Sequence, residues 1–313
     1  METPPTIVYL GTSDFAVPTL MALDKSRFDL KLVITQPDRP KGRGRRLAPS
    51  PVKNVALQKG YTIIQPGSVR EEDFISRLKA VGPDFLVVAA FGQILPSRLL
   101  EIPKYGAINV HGSLLPRYRG PAPIQWAIMR GETKTGVSTI LMDHGVDTGD
   151  LFLSDATPIS DEDTAATLHD RLAGMGAALL VKTIDGIIDG SVLPRAQNHK
   201  HATYAPMLTK ENGRIQWRHS ARMIDARIRA LTPWPGAFCS LRGRRYKIHK
   251  AVPILSPQGS RAGTVIPGFP DELRVATGDG ALAIIEIQEA SGKRMPIRSY
   301  LHGHPISPGE IFE

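Results

Sequence analysis

Cysteine is almost missing from this chain. Cys239 is the only one in 313 residues, which excludes an intrachain disulfide and a cysteine-ligated metal centre and fits a reducing compartment. No apolar run approaches the length of a membrane span, so no membrane partner is expected. The first strand-like segment begins at Thr6 and leaves no room for a signal or transit peptide, so the expected location is cytoplasmic. The glycine spacing of dinucleotide-binding turns is lacking too. The first strand–helix turn, Gly11 to Phe15, carries one glycine where three at fixed spacing are required. Gly42 and Gly44 have Leu47 at the third position, and no strand precedes them. There is no Walker-type loop, so nicotinamide and nucleoside-triphosphate chemistry are disfavoured. The nine histidines do not cluster at ligand spacing, and no metal site is expected.

What is present is a soluble-type composition, 42% hydrophobic and 22% charged, in a chain long enough for two domains. The net charge of +9 is uneven. From Thr209 to the end there are 16 Lys and Arg against 9 Asp and Glu, whereas the remainder is nearly balanced at 23 against 21. A basic C-terminal part either meets a polyanion or serves solubility.

Strand and helix signals alternate through the first part. Strand-like runs at Thr6–Leu10, Leu30–Thr35, Tyr61–Ile64, Phe85–Ala90, Ala107–His111, Val137–Met142 and Leu151–Ile159 are interleaved with helical patterns, the last from Thr164 to Ile188. That alternation predicts an α/β fold with a doubly wound, mostly parallel sheet. After Gly190 the pattern changes. Residues 191–208 read as a linker between a domain over 1–190 and a second over 209–313. The second shows a helix at Ala221–Ala230, with Met223, Ile224, Ile228 and Leu231 on its apolar face, and five short strands, including a hairpin signal at Asp279-Gly280. This predicts a small β-barrel of the oligonucleotide-binding (OB-like) kind.

Three segments carry chemistry. Side chains alternate along a strand, so Asn109 and His111 share one face of Ala107–His111, at the end where open α/β sheets place ligands. Met142 to Asp150 follows the next strand and is expected at the same edge of the sheet. Its Asp143, Asp147 and Asp150 either cap turns or serve chemistry; they lack the ligand pattern of a calcium loop. Phe91 to Pro96 follows a third strand.

Gly106 to Gly120 (GAINVHGSLLPRYRG), with Met142 to Gly149 (MDHGVDTG), closely resembles the folate-dependent formyltransferases. Supporting matches are Gln36 to Pro40 with Gly42-Arg43-Gly44, Ser50 to Lys53, and Pro233-Trp234-Pro235. The resemblance implies transfer of a formyl group from 10-formyltetrahydrofolate to an amine. Pro37 to Pro51 is a long basic connection without periodicity; this loop and the basic second domain point, within that family, to the member acting on the methionine of initiator tRNA, for translation initiation, and the resemblance implies a monomer.

The resemblance also implies site roles. Asn109 would donate to the developing oxyanion, His111 would donate to or protonate the reacting groups, and Asp147 would orient His111 or accept the amine's proton. Phe91, Gly92, Ile94 and Leu95, with Ser113, Leu114, Leu115 and Pro116, would line the folate cleft. Arg39, Lys41, Arg43, Arg45 and Arg46 would meet the acceptor end of the tRNA. Arg242, Arg244, Arg245 and Lys247 would add charge from the second domain, and Trp234 would be a packing anchor. Enzymes that formylate a glycinamide ribonucleotide or a sugar nucleotide, a formyl-folate hydrolase, and an inactive RNA-binding relative share parts of this pattern.

Overall fold

The computed structural model describes residues 3–41, 44, 46–255 and 259–313. The chain divides into two compact units. The first takes the chain up to Pro123 together with Lys134–Pro158 and His169–Ala205. The second takes Ile124–Thr133, Ile159–Leu168 and Pro206–Glu313.

In chain order the elements up to residue 190 are β1 (Thr6–Gly11), α1 (Val17–Asp24), β2 (Asp29–Ile34), β3 (Arg39–Lys41), β4 (Arg46–Ala48), α2 (Pro51–Gln58), β5 (Ile63–Ile64), α3 (Glu72–Val81), β6 (Phe85–Ala89), α4 (Ser97–Leu100), β7 (Ala107–His111), α5 (Pro123–Met129), β8 (Lys134–Leu141), β9 (Leu151–Pro158) and α6 (Ala165–Ile188). The main sheet runs β5-β2-β1-β6-β7-β8-β9. It is parallel from β5 to β7, and β8 and β9 are antiparallel additions. Strand order reverses between β1 and β6, the switch point at which a doubly wound sheet opens a crevice beyond its carboxyl ends.

β6 is apolar along its whole length because helices cover both faces. On one face Val8, Leu10, Leu86 and Val88 pack with Phe74, Ile75 and Leu78 of α3 and Leu99 of α4. Ala107 belongs to the same cluster, which puts Asn109 and His111 on that side by the alternation of the strand. Val110 looks the other way, towards α6. Gly176 permits the approach there, since a Cβ at that position would lie 2.6 Å from Val110 Cγ1.

The loop expected over 37–51 contains a short ladder, β3 against β4, pairing Arg39 with Ala48 and Lys41 with Arg46. Its base is clipped. Asp38 accepts from Lys53 Nζ at 2.8 Å and from Gln65 Nε2 at 2.9 Å. Ser50 caps α2 by accepting from Lys53 N at 3.0 Å. Residues 191–205, read from sequence as part of a linker, are bonded into the first unit, with Arg195 bridged to Leu151 and Tyr204 to Arg119.

The second unit is built from α7 (Ala221–Ala230), β10 (Ala237–Leu241), β11 (Arg244–Ile254), β12 (Val265–Ile266), β13 (Leu273–Ala276), β14 (Ala281–Glu289), β15 (Met295–Pro296) and α8 (Ile297–Gly303). Its antiparallel sheet runs β10-β11-β14-β13-β12, with β15 beside β14, and forms a half-barrel. β11 is one strand of 11 residues rather than the short run expected, and register shifts around Lys250 mark where it bends. The hairpin at Asp279-Gly280 joins β13 to β14, and Gly280 takes the positive φ of 75° that the turn requires. Ile224 and Ile228 of α7 close the core, but Met223 is 52% exposed, contrary to the apolar face read from the sequence. Cys239 is buried on β10, and burial pushes its thiol pKa up, away from reactivity.

Candidate active site

Asn109, His111 and Asp147 converge. Asn109 Nδ2 donates to Asp147 Oδ1 at 3.3 Å, and His111 Nδ1 lies 3.5 Å from Asp147 Oδ2. His111 Nε2 is 2.9 Å from Tyr118 O. A carbonyl only accepts, so the proton belongs on Nε2, and Nδ1 is the nitrogen turned to the carboxylate. His111 is 6% exposed, and its ring is held through Nε2, with Nδ1 facing Asp147.

The route by which Asp147 arrives differs from expectation. β8 is antiparallel to β7, so the loop does not leave at the carboxyl edge where β7 ends. Met142 N bonds to Ala107 O at 2.8 Å, at the start of β7. The loop then returns along the face that carries Asn109 and His111. Its neck is closed by Leu141 N on Asp150 O at 2.8 Å. Gly149 fills that neck, where a Cβ would lie 1.8 Å from Leu141 O. The three acids divide their work. Asp143 braces the loop internally, accepting from Gly145 N at 3.0 Å and Thr148 Oγ1 at 2.6 Å. Asp150 contributes its carbonyl to the neck. Asp147, at φ 54°, turns its carboxylate outward and also accepts from Gly120 N at 2.8 Å.

The turn after β7 is held from beneath. Ser138 Oγ donates to Ser113 O at 2.8 Å and lies 3.2 Å from Leu115 N, and Ser113 Oγ donates to Arg117 O at 2.6 Å. Ser113 and Leu115 are buried, while Leu114 and Pro116 are half-buried. At the end of β6 the other expected cleft residues split into two kinds. Phe91 and Leu95 belong to the core beneath the crevice, whereas Gly92 is exposed and Ile94 is 63% exposed. Phe91 O ties three strand ends together by accepting from Thr12 Oγ1 at 2.8 Å and Gln36 Nε2 at 3.0 Å.

Of the expected cationic loop, Arg39 and Arg46 are exposed and Arg39 bonds to Gln36. Only the backbone of Lys41 is described, and Arg43 and Arg45 lie outside the described residues. In the second unit Arg242 is paired with Glu310 and Arg244 with Glu289 at 3.0 Å, and the Arg245 guanidinium sits 3.5 Å from the Phe238 ring centroid. Those cations are partly committed within the unit. Trp234, expected as a packing anchor, is 56% exposed. Pro233 and Pro235 flank it in an irregular turn that leaves the indole outside the core.

The profile described as Formyl transferase matches residues 6–184, more than half of the sequence. The chain belongs to the formyl transferase family. A second profile, Formyl transferase, C-terminal domain, matches residues 207–305. A relative from Caldanaerobacter subterraneus subsp. tengcongensis, named methionyl-tRNA formyltransferase, is 46% identical over 98% of this chain and 99% of its own. Among solved structures, the N-formyltransferase of Helicobacter canadensis, in complex with folinic acid and dTDP-3-aminofucose, has a TM-score of 0.66. It is 21% identical and covers 93% of this chain and 100% of its own. HypX of Aquifex aeolicus in complex with tetrahydrofolic acid has a TM-score of 0.60 at 15% identity, over 96% of this chain and 47% of its own. At these identities both structures speak for the fold alone.

Two residues around the site were not singled out from the sequence. Gln197 lies in an aperiodic stretch and Arg119 in the PRYRG turn; both are buried. The one available signal was Arg119 itself, a cation beside the last glycine of the GAINVHGSLLPRYRG motif.

Proposed function

We propose that this enzyme transfers the formyl group of 10-formyltetrahydrofolate to the α-amino group of methionine carried on initiator tRNA. The observation that carries this reading is the 46% identity to a protein named methionyl-tRNA formyltransferase, which runs through 98% of the chain and so includes the basic C-terminal part. Formyl transfer to an amine has two difficulties. The amine adds to the formyl carbon and the bond to the folate nitrogen breaks; negative charge develops on the formyl oxygen, and a proton must leave the attacking nitrogen and reach the departing one.

Asn109 answers the first. A carboxylate can engage only one of the two N–H bonds of Nδ2 at 3.3 Å, which leaves the second free to donate to the oxygen. Asp147 answers the second: its carboxylate is an acceptor held beside the site by Gly120 N and Asn109. His111 has Nε2 committed to Tyr118 O, so any proton it exchanges passes through Nδ1, on the side of Asp147.

The folate donor is assigned to the crevice between Phe91–Pro96 and Ser113–Pro116. Exposed Ile94 and the open main chain at Gly92 suit a flat heterocycle, and Leu114 and Pro116 contribute half-buried apolar side chains to the second segment. Phe91, Leu95, Ser113 and Leu115 shape that wall from within. The basic loop carrying Arg39, Lys41, Arg43, Arg45 and Arg46 is assigned to the acceptor end of the tRNA. Catalysis is assigned to residues 1–190 and tRNA binding to 209–313, with a cytoplasmic, monomeric enzyme as the working form.

Purified protein incubated with 10-formyltetrahydrofolate and methionyl-tRNA, glycinamide ribonucleotide or water alone tests the assignment. Formylation of the tRNA amine is the expected outcome. Formyl transfer to the ribonucleotide, or release of formate without an acceptor, overturns it.

A further inference from the structure

Asp147 meets both Asn109 and His111, yet it sits in the left-handed region at φ 54°. A non-glycine residue stays there only when its surroundings hold it. The holder is Gln197. Its Nε2 donates to Asp147 O at 3.0 Å and to Gly149 O at 2.6 Å, so one amide grips the main chain on either side of Thr148. Gln197 is 6% exposed. Its own orientation is set by Arg119, whose Nη2 donates to Gln197 Oε1 at 2.7 Å. A guanidinium only donates, so a flipped amide would set donor against donor and the grip on the loop would be lost.

Arg119 is 2% exposed, and the acceptors that meet its Nη2 are the Gln197 amide oxygen and His199 Nδ1 at 3.0 Å. Its Nε is buried without a partner. Burying a guanidinium against uncharged acceptors is costly, and such a group is hard to explain as packing. Its main chain is tied to the same segment, with Arg119 N on Thr203 O at 2.9 Å and Ala205 N on Arg119 O at 2.7 Å.

We propose that Arg119 and Gln197 are positioning residues for the formyl transfer. The guanidinium aims the Gln197 amide, and the amide locks the backbone of Asp147 and Gly149. The carboxylate is thereby kept on Asn109, Gly120 N and His111. This inference rests on the function proposed above for Asp147. The segment after α6 is therefore a working part of the catalytic unit.

Gln197→Glu separates positioning from stability. The new carboxylate still accepts from Arg119, giving that buried cation an anionic partner, but it can only repel Asp147 O and Gly149 O. The test is steady-state formylation by the full chain, thermal melting, and hydrogen exchange at the Gly120 amide, which is bonded to Asp147. Misplacing a reacting group by about 1 Å costs up to roughly 100-fold. We expect Gln197→Glu to lower kcat by about 10–100-fold on that scale, with KM for both substrates within about twofold. Its melting temperature should match or exceed the parent's, and Gly120 exchange should accelerate by about tenfold or more. Gln197→Ala should lower kcat similarly but with a lower melting temperature. A Gln197→Glu protein with parental kcat, or with unchanged Gly120 exchange, overturns the proposal. A parent protein inactive on methionyl-tRNA, combined with faster Gly120 exchange in Gln197→Glu, instead removes the functional reading and leaves the loop lock standing.

Discussion

The two units treat buried polarity in opposite ways. Among the described residues, fifteen polar or charged side chains are buried, and only Asp163, Asp225 and Thr277 of these lie in the second unit. The first unit holds the rest, including Gln36, His111, Ser113, Arg119, Ser138 and Gln197 around the strand ends. The second has a core of aliphatic and aromatic side chains, and many of its cations are in surface pairs or over rings. A buried polar group must be bonded or it destabilises. Concentrating such groups around one crevice therefore fixes geometry at the expense of stability. An apolar core does the reverse, giving stability and leaving the outer surface free to carry charge.

Truncations should separate these two designs. Asn109→Ala, which removes a donor from the crevice, is expected to lower kcat by about 10²–10³-fold with little change in melting temperature. His111→Ala and Asp147→Ala should fall in the same class. Near-parental turnover in any one removes that residue from the reaction. Leu282→Ala, at a fully buried position of β14, should instead cost about 2–5 kcal/mol of stability. Its kcat, measured below the transition, should stay within a few-fold of the parent. A Leu282→Ala protein with parental stability but defective turnover would erase the contrast.

That contrast also explains what could be read from the sequence. β7 was legible to the residue because strict alternation puts Ile108 and Val110 on one face and Asn109 and His111 on the other. The half-barrel was legible as short strands split by Gly, Pro and Asp, down to the Asp279-Gly280 turn. The direction of β8 was not, since an apolar strand reads the same in either orientation; hence the loop carrying Asp147 meets Asn109 and His111 as expected but starts from the opposite edge of the sheet. Gln197 was invisible for a different reason. It acts through hydrogen bonds to residues 48 and 50 positions away, and no periodicity records such a partner. The exposure of Met223 and Trp234 shows the same limit, because an apolar residue announces its chemistry and not its neighbours. The ladder between β3 and β4 escaped notice since Arg39–Lys41 and Arg46–Ala48 are too short and too basic to show alternation.

The basic loop gives a smaller effect. Each phosphate contact contributes about one unit to the slope of log affinity against log salt. Arg43→Ala should lower that slope for tRNA by about one while leaving folate-dependent steps unchanged. An unchanged slope in a filter-binding titration would exclude a phosphate contact at Arg43. Arg242→Ala should show little change of slope, since Glu310 already pairs with that guanidinium; a full unit there would mean that the pair opens for RNA.

The smallest effect distinguishes two carboxyls, one in each unit, by the sign of their pH response. Asp38, at the base of the basic loop, takes hydrogen bonds from Lys53 and Gln65, which hold its carboxyl below the ordinary value of 3.8. The unfolded chain then binds that proton more readily than the folded one. The Asp38 contribution is present above the ordinary value and lost as pH falls through the lowered one. Asp225 in the second unit is the reverse. Burial, with Asp161 and Glu162 nearby, pushes its carboxyl above 3.8 even though Arg229 Nε lies 2.8 Å away. The folded chain now binds the proton more readily, so the contribution is present below the ordinary value and lost as pH rises through the raised one. Melting of Asp38→Asn and Asp225→Asn beside the parent, in steps across the carboxylate range, reads both. The parent's advantage over Asp38→Asn should grow with pH, and its advantage over Asp225→Asn should shrink. Slopes of the same sign would mean that Asp38 is not gripped by its donors or that Asp225 is not confined by its burial.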